Sequence, residues 1–208
     1  GRRLSRRHGD PLMSLFKFLA PYCKSLDPDG EARCWKRGRF VGGRCPRCWD
    51  MLLGSNDPTV LGELASEDDI PDEALLALAE TRWAPVGVEI ARRSSPLPAG
   101  VMIRLVEHPE AIVRMEAAKR PDLSPQMADR MLELSTHDAG VRKVIAGYAR
   151  LSPAASNALL NDTEFDVHAA LAHNRSADPE DLGVLASSHP QPEVRAAAEA
   201  TLAELVPA

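Results

Sequence analysis

One short plan recurs about every 27 residues along the chain, and this period constrains the fold more than any other feature. Valine returns at steps of 26 to 28 residues, at Val60, Val86, Val113, Val141, Val167 and Val194. Proline returns with the same spacing in a second series, at Pro71, Pro98, Pro125, Pro153 and Pro179. Two independent markers that share one period indicate stacked supersecondary units.

The segment that follows each valine has the pattern of a helix with one buried face. Four residues after the valine comes an apolar residue such as Leu64, Ile90 or Ile145, and the next position is alanine in five of six copies. Apolar residues at i, i+4 and i+5 line one side of a helix. We therefore predict that this side packs against neighbouring units, with alanine permitting a close approach.

The segment that follows each proline is predicted to be a second helix. Ser124, Ser152 and Asp178 each precede a proline, which matches an N-cap followed by proline in the first helical position. Seven residues after each proline stands a residue expected on the buried face: Leu78, Leu105, Leu132, Leu160 or Ala186. We predict five helix pairs and a terminal half-unit at Val194, without strands. Helices of roughly 8–10 residues are unstable alone, so stacking must stabilise them.

Composition divides the chain into two modules. Residues 1–50 hold 12 lysines and arginines against 5 acidic residues, a net charge of +7, and all four cysteines. Residues 51–208 hold 13 against 25, a net charge of −12. We predict a basic cysteine module over 1–53 and a helical array over 54–208. No apolar run approaches the ~20 residues of a membrane span, and a cytoplasmic location is expected.

The four cysteines predict a metal centre. They stand at Cys23, Cys34, Cys45 and Cys48, which leaves one Cys-x2-Cys turn and two widely spaced thiols. Four thiolates complete the ligand set of one zinc ion, or of one [4Fe–4S] cluster. Zinc ribbons usually supply two such turns, which favours the cluster, while one zinc ion and a pair of disulfides remain as alternatives.

The repeats and the cysteine module together resemble the leucine-rich repeat variant proteins. The resemblance rests on Val113-Arg114, Val141-Arg142 and Val194-Arg195, and on Leu123-Ser124-Pro125 and Leu151-Ser152-Pro153. It implies an all-α, right-handed superhelical solenoid of alternating α- and 3₁₀-helices. It also implies one [4Fe–4S] cluster held by Cys23, Cys34, Cys45 and Cys48. The chain departs from the pattern at Leu61, Gly87 and His168, which replace the recurring arginine.

The remaining polar residues indicate structural roles, and no catalytic arrangement is found. His108 and His189 occupy a repeat junction where other copies carry Ser55, Thr81, Thr136 or Asp162, so turn or cap roles are expected. The recurring arginines, Arg114 among them, are expected to form exposed pairs with acids of the next repeat.

Two functions stay open: an iron–sulfur protein whose array binds a protein partner, and a zinc-capped binding scaffold without redox chemistry. Neither requires an enzyme. The array's net charge of −12 opposes contact with phosphate, so no nucleic-acid partner is expected.

Overall fold

A computed structural model of the chain describes residues 52–67 and 70–205, and these residues form an all-helical structure. The prediction of an all-α fold is confirmed, and the described residues contain no strand. Eleven helices lie within them: α1 Pro58–Ala65, α2 Asp72–Ala79, α3 Ala84–Ala91, α4 Ala99–Val106, α5 Ala111–Ala118, α6 Pro125–Leu134, α7 Ala139–Tyr148, α8 Pro153–Leu160, α9 Phe165–Ala172, α10 Pro179–Ser188 and α11 Pro192–Leu205. These are five pairs and one terminal helix, as the two markers predict.

The odd-numbered helices contain the recurring valine and are called the Val helices; the even-numbered ones follow the recurring proline and are called the Pro helices. The described residues fall into two compact units that divide between Leu78 and Ala79. In the second unit each Val helix from α3 to α11 packs against the next Val helix, and each Pro helix from α4 to α10 packs against the next Pro helix. Among the described residues no helix is both long and apolar enough to cross a membrane.

The expected alternation of α- and 3₁₀-helices is wrong for the described residues. The Pro helices are α-helices of 8 to 10 residues. Their first turns already close with i to i+4 bonds, as from Ala128 N to Ser124 O and from Ser156 N to Ser152 O. A side-chain cap and an N1 proline start such a helix without loss of a bonded N–H, so the wider α turn is favoured.

The Val helices build the core along the lines that the sequence predicts. Valine is the third residue of each helix, and it is fully buried in α3, α5, α7 and α9. The apolar residue four places on and the alanine five places on are buried too, as in Ile145 and Ala146. The first copy differs, because Val60 is half-buried and Leu61 is buried instead.

Gly87 illustrates how closely consecutive Val helices approach each other. It stands where later units carry arginine, and a Cβ atom built on it would lie 2.9 Å from Cγ1 of Val113 in the next helix. Any larger side chain would push α3 and α5 apart. The departure from arginine at this position therefore has a packing cause.

The Pro helices confirm the predicted caps but correct the predicted core face. Ser124 Oγ accepts from Met127 N, and Ser152 Oγ accepts from Ala155 N, with proline following as the first helical residue. In α4, by contrast, Pro98 is itself the cap and the helix begins one residue later. This shift changes which residue after the proline points inward.

Leu78 and Leu105, seven residues after their prolines, are fully buried as expected. In the next three units the sixth residue after the proline is buried instead: Met131, Leu159 and Leu185. The predicted Leu132, Leu160 and Ala186 are only half-buried. An α-turn holds about 3.6 residues, so each residue is turned by about 100° from the one before it. These three helices begin at the proline itself, one residue earlier than α4 does. The seventh residue after the proline is therefore rotated off the core face.

Consecutive units are also joined by buried polar side chains. Seven residues after the recurring valine stand Arg120, Asn174 and Thr201, all of them buried. Each donates a hydrogen bond to the carbonyl of an alanine in the last turn of the preceding Val helix: Ala91 at 2.9 Å, Ala146 at 2.6 Å and Ala172 at 2.7 Å. Carbonyls in the last turn of a helix lack partners within it, so at these three junctions one unit satisfies the helix end of the unit before it.

The rotated core face gives a direct test in α6. Met131→Ala should lower the free energy of unfolding by about 2–5 kcal/mol, because it opens a cavity between units. Leu132→Ala should cost less, about 1 kcal/mol, since that side chain keeps contact with solvent. Urea denaturation followed by circular dichroism measures both. A larger loss for Leu132→Ala than for Met131→Ala would contradict the observed face.

Candidate functional site

The four predicted ligands, Cys23, Cys34, Cys45 and Cys48, lie outside the described residues. Within the part of the chain that the structure describes, no group of three or more His, Cys, Asp or Glu side chains is arranged to hold a metal ion. The candidate site therefore has to be sought on the surface of the helical array.

The junction histidines serve as turn residues, which confirms their predicted role. His108 Nδ1 accepts from Glu110 N at 3.1 Å, and His189 Nδ1 accepts from Gln191 N at 3.2 Å. Ser55 Oγ and Asp162 Oδ1 make the same bond to the backbone N–H two residues ahead. Four side chains of three different chemistries thus perform one structural task at equivalent positions.

The recurring arginines are more buried than expected. Arg114 is 9% exposed and donates from Nη1 to the carbonyls of His108 and Pro109, at 2.7 and 2.8 Å. Its Nη2 lies 3.1 Å from Oδ2 of Asp138, the N-cap of the next Val helix. The arginine therefore holds the preceding turn and the following unit together, and it is not part of an exposed ladder.

Arg142 repeats this arrangement with a closer acid. Its Nε and Nη2 donate to the two carboxylate oxygens of Asp162, at 2.6 and 3.1 Å. The hydrogen bond from Arg142 lowers the pKa of Asp162 below its ordinary value and raises the pKa of Arg142. Such a bidentate pair is neutral as a whole and keeps both groups ionised.

His168 occupies the arginine position of the next unit and makes a different contact. Its Nδ1 lies 3.2 Å from Nε2 of His189, and the two rings meet edge to face with centroids 5.2 Å apart. Since His189 Nδ1 accepts from Gln191 N, its Nε2 carries the proton and donates to His168. The pair thus replaces an arginine–carboxylate contact by one between two imidazoles.

A second series of contacts, here called the charge ladder, crosses the surface of the Pro helices. Arg104 Nη2 lies 3.0 Å from Oε1 of Glu80, and Arg130 Nε lies 3.4 Å from Oε1 of Glu107. Both arginines are the sixth residue of their helix, and both glutamates hold the ninth place counted from the start of the preceding Pro helix. The ladder therefore joins α4 to Glu80 and α6 to Glu107.

The charge ladder stops between α6 and α8. Glu133 holds the ninth place of α6, but the sixth residue of α8 is Ala158. Among the described residues Glu133 pairs only with Arg130 of its own helix, at 3.0 Å, and its side chain is 67% exposed. Loss of the long side chain leaves an open space beside this glutamate.

That space is a groove of about 620 Å³ between α6 and α8. The apolar part of its lining, here called the floor, consists of Leu132, Ala154, Ala155, Ala158 and Leu159. Small side chains there account for the open space, because alanine fills little of the gap between two helices.

The rim of the groove is acidic. Asp129, Glu133 and Asp162 line it together with Arg142, whose charge is balanced by Asp162. Asp129 Oδ1 accepts from the hydroxyl of Ser152 at 2.7 Å. The groove thus combines an apolar floor with two carboxylates, Asp129 and Glu133, that no cation of a neighbouring helix neutralises within the described residues.

The sequence contains a signal for this site that the valine and proline markers do not use. Aligned by helix start, the sixth residues of the Pro helices are Arg104, Arg130, Ala158 and Val184. The ninth places before them read Glu80, Glu107, Glu133 and Asn161. Glu133 is the one glutamate of this series that faces no arginine on the next Pro helix, and it marks the groove. This alignment can be made only when the first residue of each helix is known.

His108 predicts a pH dependence of stability. Burial, the largest cause, lowers its pKa below the ordinary value of 6.5. Above about pH 6.5 protonation of this histidine does not reduce the free energy of unfolding. As pH falls from there towards the lowered pKa, His108 gains a proton in the unfolded chain but not in the folded one. The free energy of unfolding therefore decreases as the pH is lowered.

His108→Asn, which retains an acceptor for Glu110 N, should reduce the loss of stability between pH 7 and pH 5. Urea titrations at a series of pH values measure it. His137→Asn, which removes an exposed histidine from another turn, controls for the general effect of losing an imidazole. Equal pH dependence in His108→Asn and the unmodified chain would contradict the assignment.

Comparison with protein-family models, with curated proteins and with solved structures finds no match to this chain. The likeness to leucine-rich repeat variant proteins consequently rests on the repeat motifs and on the four cysteines.

Proposed function

We propose that this chain is an iron–sulfur protein whose helical array is a scaffold for protein–protein interaction. One [4Fe–4S] cluster is held by Cys23, Cys34, Cys45 and Cys48, and the array forms a right-handed superhelix that contacts a partner. The observation that carries the scaffold is the groove on the Pro helices, where the charge ladder is interrupted.

The scaffold is supported by how the array is built. Short helices stacked on their neighbours give an extended surface, and proteins of this architecture commonly bind other proteins. The Pro helices also carry exposed apolar side chains outside the groove: Ile103, Leu134 and Val184 are 42–47% exposed. Apolar contact area beside charged groups is typical of a surface that binds protein.

The cluster is supported by the number and type of its donors. Four thiolates supply one ligand to each iron of a cubane cluster, and Lys24, Arg33, Arg44 and Arg47 stand near them in the sequence. Positive side chains lower the pKa of thiols and favour the ligating thiolate. When bound, the cluster would supply electron transfer or structural support. A single zinc ion with no redox role is the alternative.

Metal analysis decides between the cluster and zinc. Anaerobically purified chain should contain about four irons and about four acid-labile sulfides, with a broad brown absorption. Cys45→Ser should lower iron content, because it removes one ligand of four. The helical signal of the far repeats should persist, since each unit contacts only its neighbours. About one zinc per chain without sulfide would overturn the cluster and leave the four ligands in place.

Photo-crosslinking tests the scaffold independently of the metal. Three variants of the full chain each carry one photoreactive residue. It replaces Ala158 or Arg104 on the Pro helices, or Ile112 on a Val helix as the control. Each variant is irradiated in native cell extract. We expect the same protein to be crosslinked from Ala158 and Arg104, because a partner of the Pro helices spans consecutive units. Equal crosslinking from all three sites, or none, would contradict a specific binding surface.

A further inference from the structure

We propose that the groove between α6 and α8 binds an arginine side chain presented by the protein partner. The bound arginine takes the place of the charge-ladder member that α8 lacks. This inference rests on the proposed scaffold function and adds the chemistry of what it recognises.

The ladder itself shows what the empty position accommodates. In the two preceding intervals an arginine from the next Pro helix reaches back to the glutamate, with N–O distances of 3.0 Å at Glu80 and 3.4 Å at Glu107. Glu133 holds the equivalent place, and Ala158 stands where the arginine would begin. Glu133 contacts Arg130 of its own helix, but Ala158 supplies no cation from the next Pro helix, so a second cation at this place would come from another molecule.

The groove matches an arginine in shape as well as in charge. Arginine has an aliphatic stem that packs on apolar surface while its guanidinium remains at a polar edge. The floor at Leu132, Ala154 and Ala158 receives the stem, and Asp129 and Glu133 are the acceptors at the rim. A planar group with five N–H donors pairs with carboxylates in a defined geometry, which a lysine ammonium does not.

The small floor residues also restrict the partner's neighbouring side chains. Alanines at 154, 155 and 158 leave room for a peptide backbone close to α8. We therefore expect the arginine to lie in a peptide segment with small apolar neighbours. An anionic partner such as nucleic acid is disfavoured by the two carboxylates.

Binding of a defined peptide tests the proposal. The probe is fluorescein-labelled Ala-Leu-Ala-Arg-Ala-Leu-Ala, and its match has citrulline in place of arginine, which keeps the shape and removes the charge. Fluorescence anisotropy is recorded with the full chain. The arginine peptide should bind about tenfold more tightly than the citrulline peptide, as a charge-assisted hydrogen bond predicts, and its affinity should fall with salt.

Two variants locate the binding, and two matched variants control for them. Ala158→Arg fills the position from within the chain, and Glu133→Gln removes the acceptor, so each should weaken arginine-peptide binding about tenfold. Val184→Arg makes the same substitution at the equivalent place of α10, where Asn161 stands opposite, and Glu80→Gln removes an acid that pairs with Arg104. Both controls should leave the affinity unchanged.

Each result supports or overturns the proposal. Equal binding of the arginine and citrulline peptides that Ala158→Arg abolishes would overturn arginine recognition and leave the groove as a protein-binding surface. No saturable binding, or binding that all four variants retain, would overturn the groove. Crosslinks from the Pro helices to a partner would still support the scaffold in that case, so the two failures are distinguishable.

Discussion

The array depends on contacts between consecutive units. Its helices are mostly 8 to 10 residues long, which is too short for stability in water. At three junctions a carbonyl in the last turn of a Val helix finds its donor in the next unit, from Arg120, Asn174 or Thr201. Buried carbonyls without partners destabilise a fold, so these bonds and the valine–alanine packing beside them make stacking obligatory.

Contacts between consecutive units also explain how a regular array has one site that differs from the rest. Where the charge ladder continues, the Pro helices neutralise their own surface charge. Ala158 stands where the two preceding Pro helices carry arginine, and this position is exposed, so the core is unaffected. The surface, however, has a groove there, and within the residues that the structure describes Glu133 has no cation from the neighbouring helix beside it. Core and surface positions vary independently in such units, so function resides in departures from the repeat.

The two modules have complementary properties that suit the proposed function. The cysteine module carries a net charge of +7 and every thiol, and the array carries −12 and the groove. A metal-binding module and a protein-binding array in one chain would bring the cluster to a chosen partner. Because repeat units depend only on adjacent ones, loss of the metal and loss of the groove should be separable by mutation.

The sequence alone determined the period, the helix pairs, the valine–alanine core and the caps at Ser124 and Ser152, because these follow from local patterns of a few residues. It did not determine the core face of three Pro helices, since a shift of one residue at the proline turns Leu132 outward and Met131 inward. The 3₁₀ assignment, carried over by resemblance, failed for the described residues. Burial of Arg114 and the groove beside Glu133 were decided by tertiary structure, because they join residues about 25 positions apart that only stacking brings together.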